Sequence, residues 1–177
     1  ADVLIHYNEE EEAAFREHLP HRRHLTVYPA FPRNHGRLSD VGTSEGAFDF
    51  LIVASANDPN YRSLVWFLET VWSTELDQKY DLRIAGNVDV LFKMYDSPLQ
   101  PVYGHRFLGR VDSLFDLYKN ARFVLLPVSE GQGISIKTIE CLSFGKSVVS
   151  TPLAFRGFVE RVPTNLADEA AKSSEDM

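Results

Sequence analysis

The amino-acid sequence predicts an α/β fold: an open parallel sheet with helices on both faces, three layers in all. Three observations carry this. Short apolar runs alternate with longer amphipathic ones along most of the 177 residues, as strands joined by crossover helices do. Phe48 to Ala54 is a near-continuous apolar run, the mark of a strand buried on both faces. An apolar content of 44% is enough for the single core that a chain of this size builds.

The elements follow in order. Val3 to His6 reads as a strand. Glu9 to Leu19 reads as a helix, with four glutamates in its first turn, where the helix dipole favours anions. Leu25 to Tyr28 is a second strand, and residues 31–47, rich in Pro, Gly, Ser and Asp without periodicity, are a linker. After the strand from Phe48, Asp58 is the expected cap of a helix with Pro59 at its first position. Leu64, Val65, Leu68, Val71 and Trp72 share one face of it. Leu82 to Ala85 is a strand closed by Gly86-Asn87, and Val88 to Tyr95 a short helix. Phe107 to Val111 is a strand, followed by a helix capped by Asp112 and carrying Leu114, Phe115 and Tyr118. Phe123 to Leu126, Ile134 to Phe144 and Ser147 to Ser150 complete the pattern as strand, helix and strand. About six strand–helix units stack by right-handed crossovers into a Rossmann-like sheet.

Composition excludes several classes. No run reaches the ~18 apolar residues of a membrane span, and no charged start precedes an apolar stretch as in a secretory signal. A net charge of −7 argues against nucleic acid as a partner. Cys141 is the single cysteine, so no internal disulfide forms, and a cytoplasmic setting is expected. The chain opens without Met on a strand-like run and closes on a polar, helix-prone tail, residues 166–177, as a piece of a longer chain would.

Ligands of such sheets bind beyond the carboxyl ends of the strands. The loop Pro127-Val128-Ser129-Glu130-Gly131-Gln132-Gly133 stands out there. Two glycines let the backbone turn its N–H groups outward, and the helix that follows adds its positive end, a combination suited to phosphate. Lys137, about one turn into that helix, supplies a full charge. A tight strand-to-helix turn with no ligand is the competing reading. Two other phosphate motifs fail. Gly131-x-Gly133 lacks the third glycine of a dinucleotide fingerprint, and Gly145-Lys146-Ser147 joins helix to strand, the reverse of a P-loop.

The run from Glu130 through Gly133, Glu140, Gly145-Lys146 and Val148-Val149-Ser150-Thr151 resembles the donor-site signature of group 1 retaining glycosyltransferases. Phe50 to Ser55 with Asp58-Pro59-Asn60, Leu82 to Gly86, and Leu108-Gly109-Arg110-Val111 agree with it in order and spacing. Residues 1–30 are similar to the end of a preceding lobe, and 48–165 to the nucleotide-sugar-binding lobe of a two-lobed GT-B fold.

That resemblance implies glycosyl transfer from a nucleoside-diphosphate sugar, with the acceptor lobe on a missing N-terminal part and any membrane association, at the inner face, only through that lobe. No cofactor or metal is implied. Glu140 matches the carboxylate that accepts hydrogen bonds from the ribose. Such a bond is worth about 1.5–3 kcal/mol, roughly a tenfold to hundredfold change in affinity. Gly131, Gly133 and Ile134 match the backbone at the diphosphate, and Val111 the main chain that holds the base. Read without the family, Glu140 is a solvated helix residue.

Two departures matter. The family's sugar-contacting Glu, eight positions before the ribose Glu, is Gln132 here, with Glu130 displaced by two. These two, with Lys137, are the catalytic candidates. The family's Arg/Lys pair after the Phe48 strand falls on Ser55 and Asn60, leaving Arg62 or Arg156 as substitutes. A nucleotide-sugar 2-epimerase lobe and a non-catalytic scaffold remain alternatives. His18, His21, His24 and His35 look like a metal set, but Pro20 breaks their helix face, so they read as a solvated turn. Trp66 and Trp72 read as core.

Overall fold

The computed structural model describes residues 2–29 and 46–158. In the first stretch, β1 (Val3–His6), α1 (Glu9–His18) and β2 (Arg23–Thr26) form a parallel strand–helix–strand unit. Asn8 caps α1, its side chain accepting from Glu11 N–H at 2.7 Å. The second strand starts two residues earlier than its apolar residues suggest. Its register is fixed by pairing with β1, Val3 opposite Arg23 and His6 opposite Thr26, and backbone pairing sets a strand's bounds more firmly than side-chain composition does.

The second stretch contains β3 (Phe48–Val53), α2 (Asp58–Thr70), α3 (Thr74–Lys79), β4 (Leu82–Ala85), α4 (Asp89–Met94), α5 (Gln100–Tyr103), β5 (Phe107–Gly109), α6 (Phe115–Asn120), β6 (Ala121–Leu126), α7 (Ile136–Ser143) and β7 (Val148–Ser150). The five strands form one parallel sheet in the order β5-β4-β3-β6-β7. The Rossmann-like α/β fold read from the sequence is the fold observed. The expected linker 31–47 falls almost wholly outside the described residues, and the tail 166–177 entirely so.

Alternation along β3 divides the core. Ile52 faces a cluster with Leu64, Phe67 and Leu68 of α2 and with Leu82 and Ile84 of β4. Leu51 faces the other, with Tyr118 of α6, Cys141 of α7 and Phe144. Helices on opposite faces are what right-handed crossovers running outward from β3 in both directions require. Trp72 is buried just past α2, its indole N–H donating to Asp77 at 2.8 Å, whereas Trp66 is partly exposed.

Other local readings change: the strand expected over Phe107 to Val111 ends at Gly109, and the one expected from Phe123 begins at Ala121. Asn57, not Asp58, caps α2 by accepting from Asn60 N–H at 2.9 Å, and Asp58 instead accepts from the Tyr95 hydroxyl. At the start of α6 the Ser113 hydroxyl, not Asp112, accepts from Phe115 N–H. The helix expected from Ile134 begins at Ile136, because Ile134 is buried and Ser135 occupies the cap position. Lys146 is buried, with Nζ donating to the Ala121 carbonyl at 2.8 Å; it ties α7's exit to β6 and faces no phosphate loop. Among the described residues no helix is long and apolar enough to cross a membrane.

Candidate functional site

The strand order reverses between β3 and β6, and at such a point the loops leaving the two strands part to open a crevice. Residues 54–57 leave β3 on one side and residues 127–135 leave β6 on the other. The β6 loop is tethered to α2 at two places. Ser63 Oγ accepts from Ser129 N–H at 3.1 Å, and the Arg62 guanidinium forms a two-point ion pair with Glu130. Gly131 (φ +145°) and Gly133 (φ +65°) then make the bend. A Cβ on Gly131 would stand 2.9 Å from an Arg156 nitrogen, while nothing lies within 4 Å of one on Gly133. The first glycine makes room for a guanidinium; the second faces open space.

Lys137, in the first turn of α7 rather than a turn inside it, reaches across the crevice. Its Nζ donates to Asn60 Oδ1 at 2.5 Å, and Asn60 Nδ2 donates to the Ser55 carbonyl at 2.8 Å and hydroxyl at 3.1 Å. Ser55, Asn60 and Lys137, read separately from the sequence, are thus one network. Burial, with the nearby Arg156 charge second, pulls the Lys137 pKa from 10.5 down to about 8. Arg156 is lowered by burial as well, and its Nε is buried without a hydrogen-bond partner among the described residues. A partly desolvated cation with a second positive charge nearby is unfavourable alone, and an anion beside Lys137 relieves it.

Glu140 lies farther along α7, half-buried, with Oε2 accepting from the Tyr118 hydroxyl at 3.1 Å. On the β4 side, Ala54, Ser55, Gly86, Asn87, Arg110 and Val111 line a recess of about 300 Å³. Ser55 belongs to both this recess and the Lys137 network, so the two are adjoining parts of one crevice.

Other candidates separate from this centre. Glu130 is spent on Arg62, whose hydrogen bond holds its carboxyl below the usual range, and Gln132 is exposed. His6, not in the sequence cluster, pairs with His24 at 2.9 Å, and His24 Nε2 contacts the Leu19 carbonyl. His35 lies outside the described residues. Among the described residues no group of three His, Cys, Asp or Glu could hold a metal. Sequence reasoning missed Tyr118 and Ser63 as site-supporting residues. Their partners are 22 and 66 positions away, and only the fold brings them together.

A family model for group 1 glycosyl transferases matches residues 47–173. Among the solved structures that share the fold are two of one protein. HepE from Anabaena, in complex with UDP and glucose, has a TM-score of 0.63 and 16% identity over 92% of this chain and 47% of that one. HepE from Anabaena in complex with UDP has a TM-score of 0.60 and 16% identity over 99% of this chain and 55% of that one. The chain spans about half the length of these structures. No curated protein matches it. The crevice at the strand-order reversal lies inside a family match that covers most of the sequence, and the chain belongs to the group 1 glycosyl transferases.

Proposed function

We propose that this chain is the donor-binding half of a two-lobed GT-B enzyme that transfers a sugar from a nucleoside-diphosphate sugar to an acceptor, with retention and without a required metal. Residues 48–165 form the donor lobe, residues 1–30 end the preceding one, and the acceptor site belongs to that preceding lobe. The observation that carries the reading is the pairing of Lys137 with Arg156 beside the Gly131–Gly133 bend. Burial lowers both, and the Arg156 charge lowers Lys137 further, a cost that a diphosphate bound beside them would offset.

Each residue then has a task. Lys137, Arg156, Gly131 and Gly133 with Ile134 meet the diphosphate, together with the amide end of α7. These side-chain cations stand where a divalent ion would otherwise neutralise the departing phosphate. Ser55 and Asn60 hold Lys137 across the crevice. Glu140 accepts from the ribose hydroxyls, and the recess at Val111 takes the base. Arg62 and Glu130 fix the loop that carries the bend, and Gln132, exposed at its rim, faces the sugar. A cytoplasmic setting, with access to soluble nucleotide sugars, fits this task.

Isothermal titration of the 177-residue chain with UDP, GDP and ADP tests the reading. One of the three is expected to bind with a Kd of roughly 10 μM to 1 mM, with no sugar transfer by the chain alone. A folded chain that gives no heat with any of them sinks the proposal and leaves a scaffold.

A further inference from the structure

Tyr118 is fully buried on α6, its ring stacked on Phe144 with centroids 4.4 Å apart and an interplanar angle of 17°. A buried phenol needs an acceptor for its O–H. Two groups stand within reach: Glu140 Oε2 at 3.1 Å and Cys141 Sγ at 3.7 Å. Sulfur is a weak acceptor, whereas a carboxylate makes a charge-assisted bond about twice as strong as a neutral one. Burial pushes the Tyr118 hydroxyl pKa up and the Cys141 thiol up to about 12, so both keep their protons at neutral pH and Tyr118 stays a donor.

The ring cannot turn without breaking its stack, so the hydroxyl is a fixed point. A glutamate on a helix has several rotamers open to it, each fixed partner narrows them, and a ligand that needs one of them loses affinity in ordering it. We propose that Tyr118 is a positioning residue that holds the Glu140 carboxylate ready for the pentose hydroxyls before nucleotide arrives. The inference rests on the reading of Glu140 as the ribose acceptor and adds to it a residue that never touches the ligand.

Titrations with UDP and with inorganic pyrophosphate separate the two ideas, using Y118F, E140A and the double variant. In Y118F the ring and its stack remain. UDP is expected to bind about three- to tenfold more weakly, pyrophosphate with unchanged affinity, and in the E140A background the Tyr118 effect should vanish. If E140A loses UDP affinity and Y118F does not, the positioning role falls while the Glu140 reading stands. If E140A matches the parent, the Glu140 reading falls and takes Tyr118 with it, as does a parent chain that binds none of UDP, GDP and ADP; where the parent prefers GDP or ADP, that nucleotide replaces UDP in the series. A Y118F loss that extends to pyrophosphate, that persists in E140A, or that comes with failure to fold makes Tyr118 a packing residue and overturns the inference.

Discussion

The two sides of the crevice are built differently. On the β6–α7 side the lining is made of charged side chains, Lys137, Glu140 and Arg156, each half-buried: Lys137 donates to Asn60, Glu140 accepts from Tyr118, and Arg156 Nη1 donates to the Leu153 carbonyl. On the β4–β5 side the lining rests on the main chain around Gly86 and Gly109, braced by the Asn87 side chain. Gly86 N–H donates to the Gly109 carbonyl at 2.8 Å, and Asn87 Oδ1 accepts from Ala56 N–H at 2.8 Å, tying the turn after β4 to the loop after β3. A side-chain surface can lose its chemistry through one substitution while the fold stands. A backbone surface can be changed only by disturbing the fold. Substitutions on the first side should move affinity, and on the second, stability.

The sharpest way to break that contrast is Lys137→Met. Removing a charge-assisted contact to phosphate costs up to about 3 kcal/mol, so UDP and pyrophosphate should both bind about a hundredfold more weakly. The melting temperature at pH 7 should hold or rise, because a cation that burial disfavours is gone. A falling melting temperature with intact affinity would reverse the assignment of that side.

Gly86→Ala is the counterpart. At φ +104° a new Cβ would lie 2.2 Å from the Ala54 carbonyl oxygen, part of a backbone that has no room to move. Strain of this kind costs about 2 kcal/mol, roughly thirtyfold in the folding equilibrium, readable as a lower urea midpoint. The fraction that remains folded should bind pyrophosphate as the parent does, since the anion meets the opposite wall.

The pH dependence follows from Lys137. A diphosphate beside it favours its charged form and raises its pKa above the value of about 8 in the empty chain. Binding therefore takes up a proton at Lys137 above pH 8, and affinity should weaken toward tenfold per pH unit there. In the empty chain the sign for stability is opposite. Between about 8 and the ordinary 10.5 the unfolded state holds the proton that the folded state has released, so stability rises through that window. Lys137→Met should flatten both profiles.

What the sequence made legible divides along the same line. Strands were readable because apolar runs such as Phe48 to Val53 end at turn residues, and the bend because glycines sit beside a helix start. The short helices α3 and α5 were not. TELDQK has no apolar stripe and QPVY is a single turn, so neither carries the period that marks a helix. At α2, Asn57 and Asp58 are equally good caps by type, and only the loop geometry chooses between them. Site residues were found singly; their pairing was invisible, since Lys137 meets Asn60 across 77 positions and Arg62 meets Glu130 across 68.

The smallest effect expected belongs to that last pair. Arg62 and Glu130 are both exposed, and an ion pair in water gives little even when its geometry is good. Arg62→Ala also leaves Ser63 holding Ser129, so the loop keeps one of its two tethers. Affinity for UDP should change by less than about twofold, and salt should erase even that, because screening acts on exposed charges first. Ser63→Ala removes the sheltered tether instead and should cost more than Arg62→Ala at every salt concentration. The opposite ranking would mean that the loop's position depends on its outer, solvent-facing charges, and the division between a side-chain wall and a backbone wall would no longer hold at the bend.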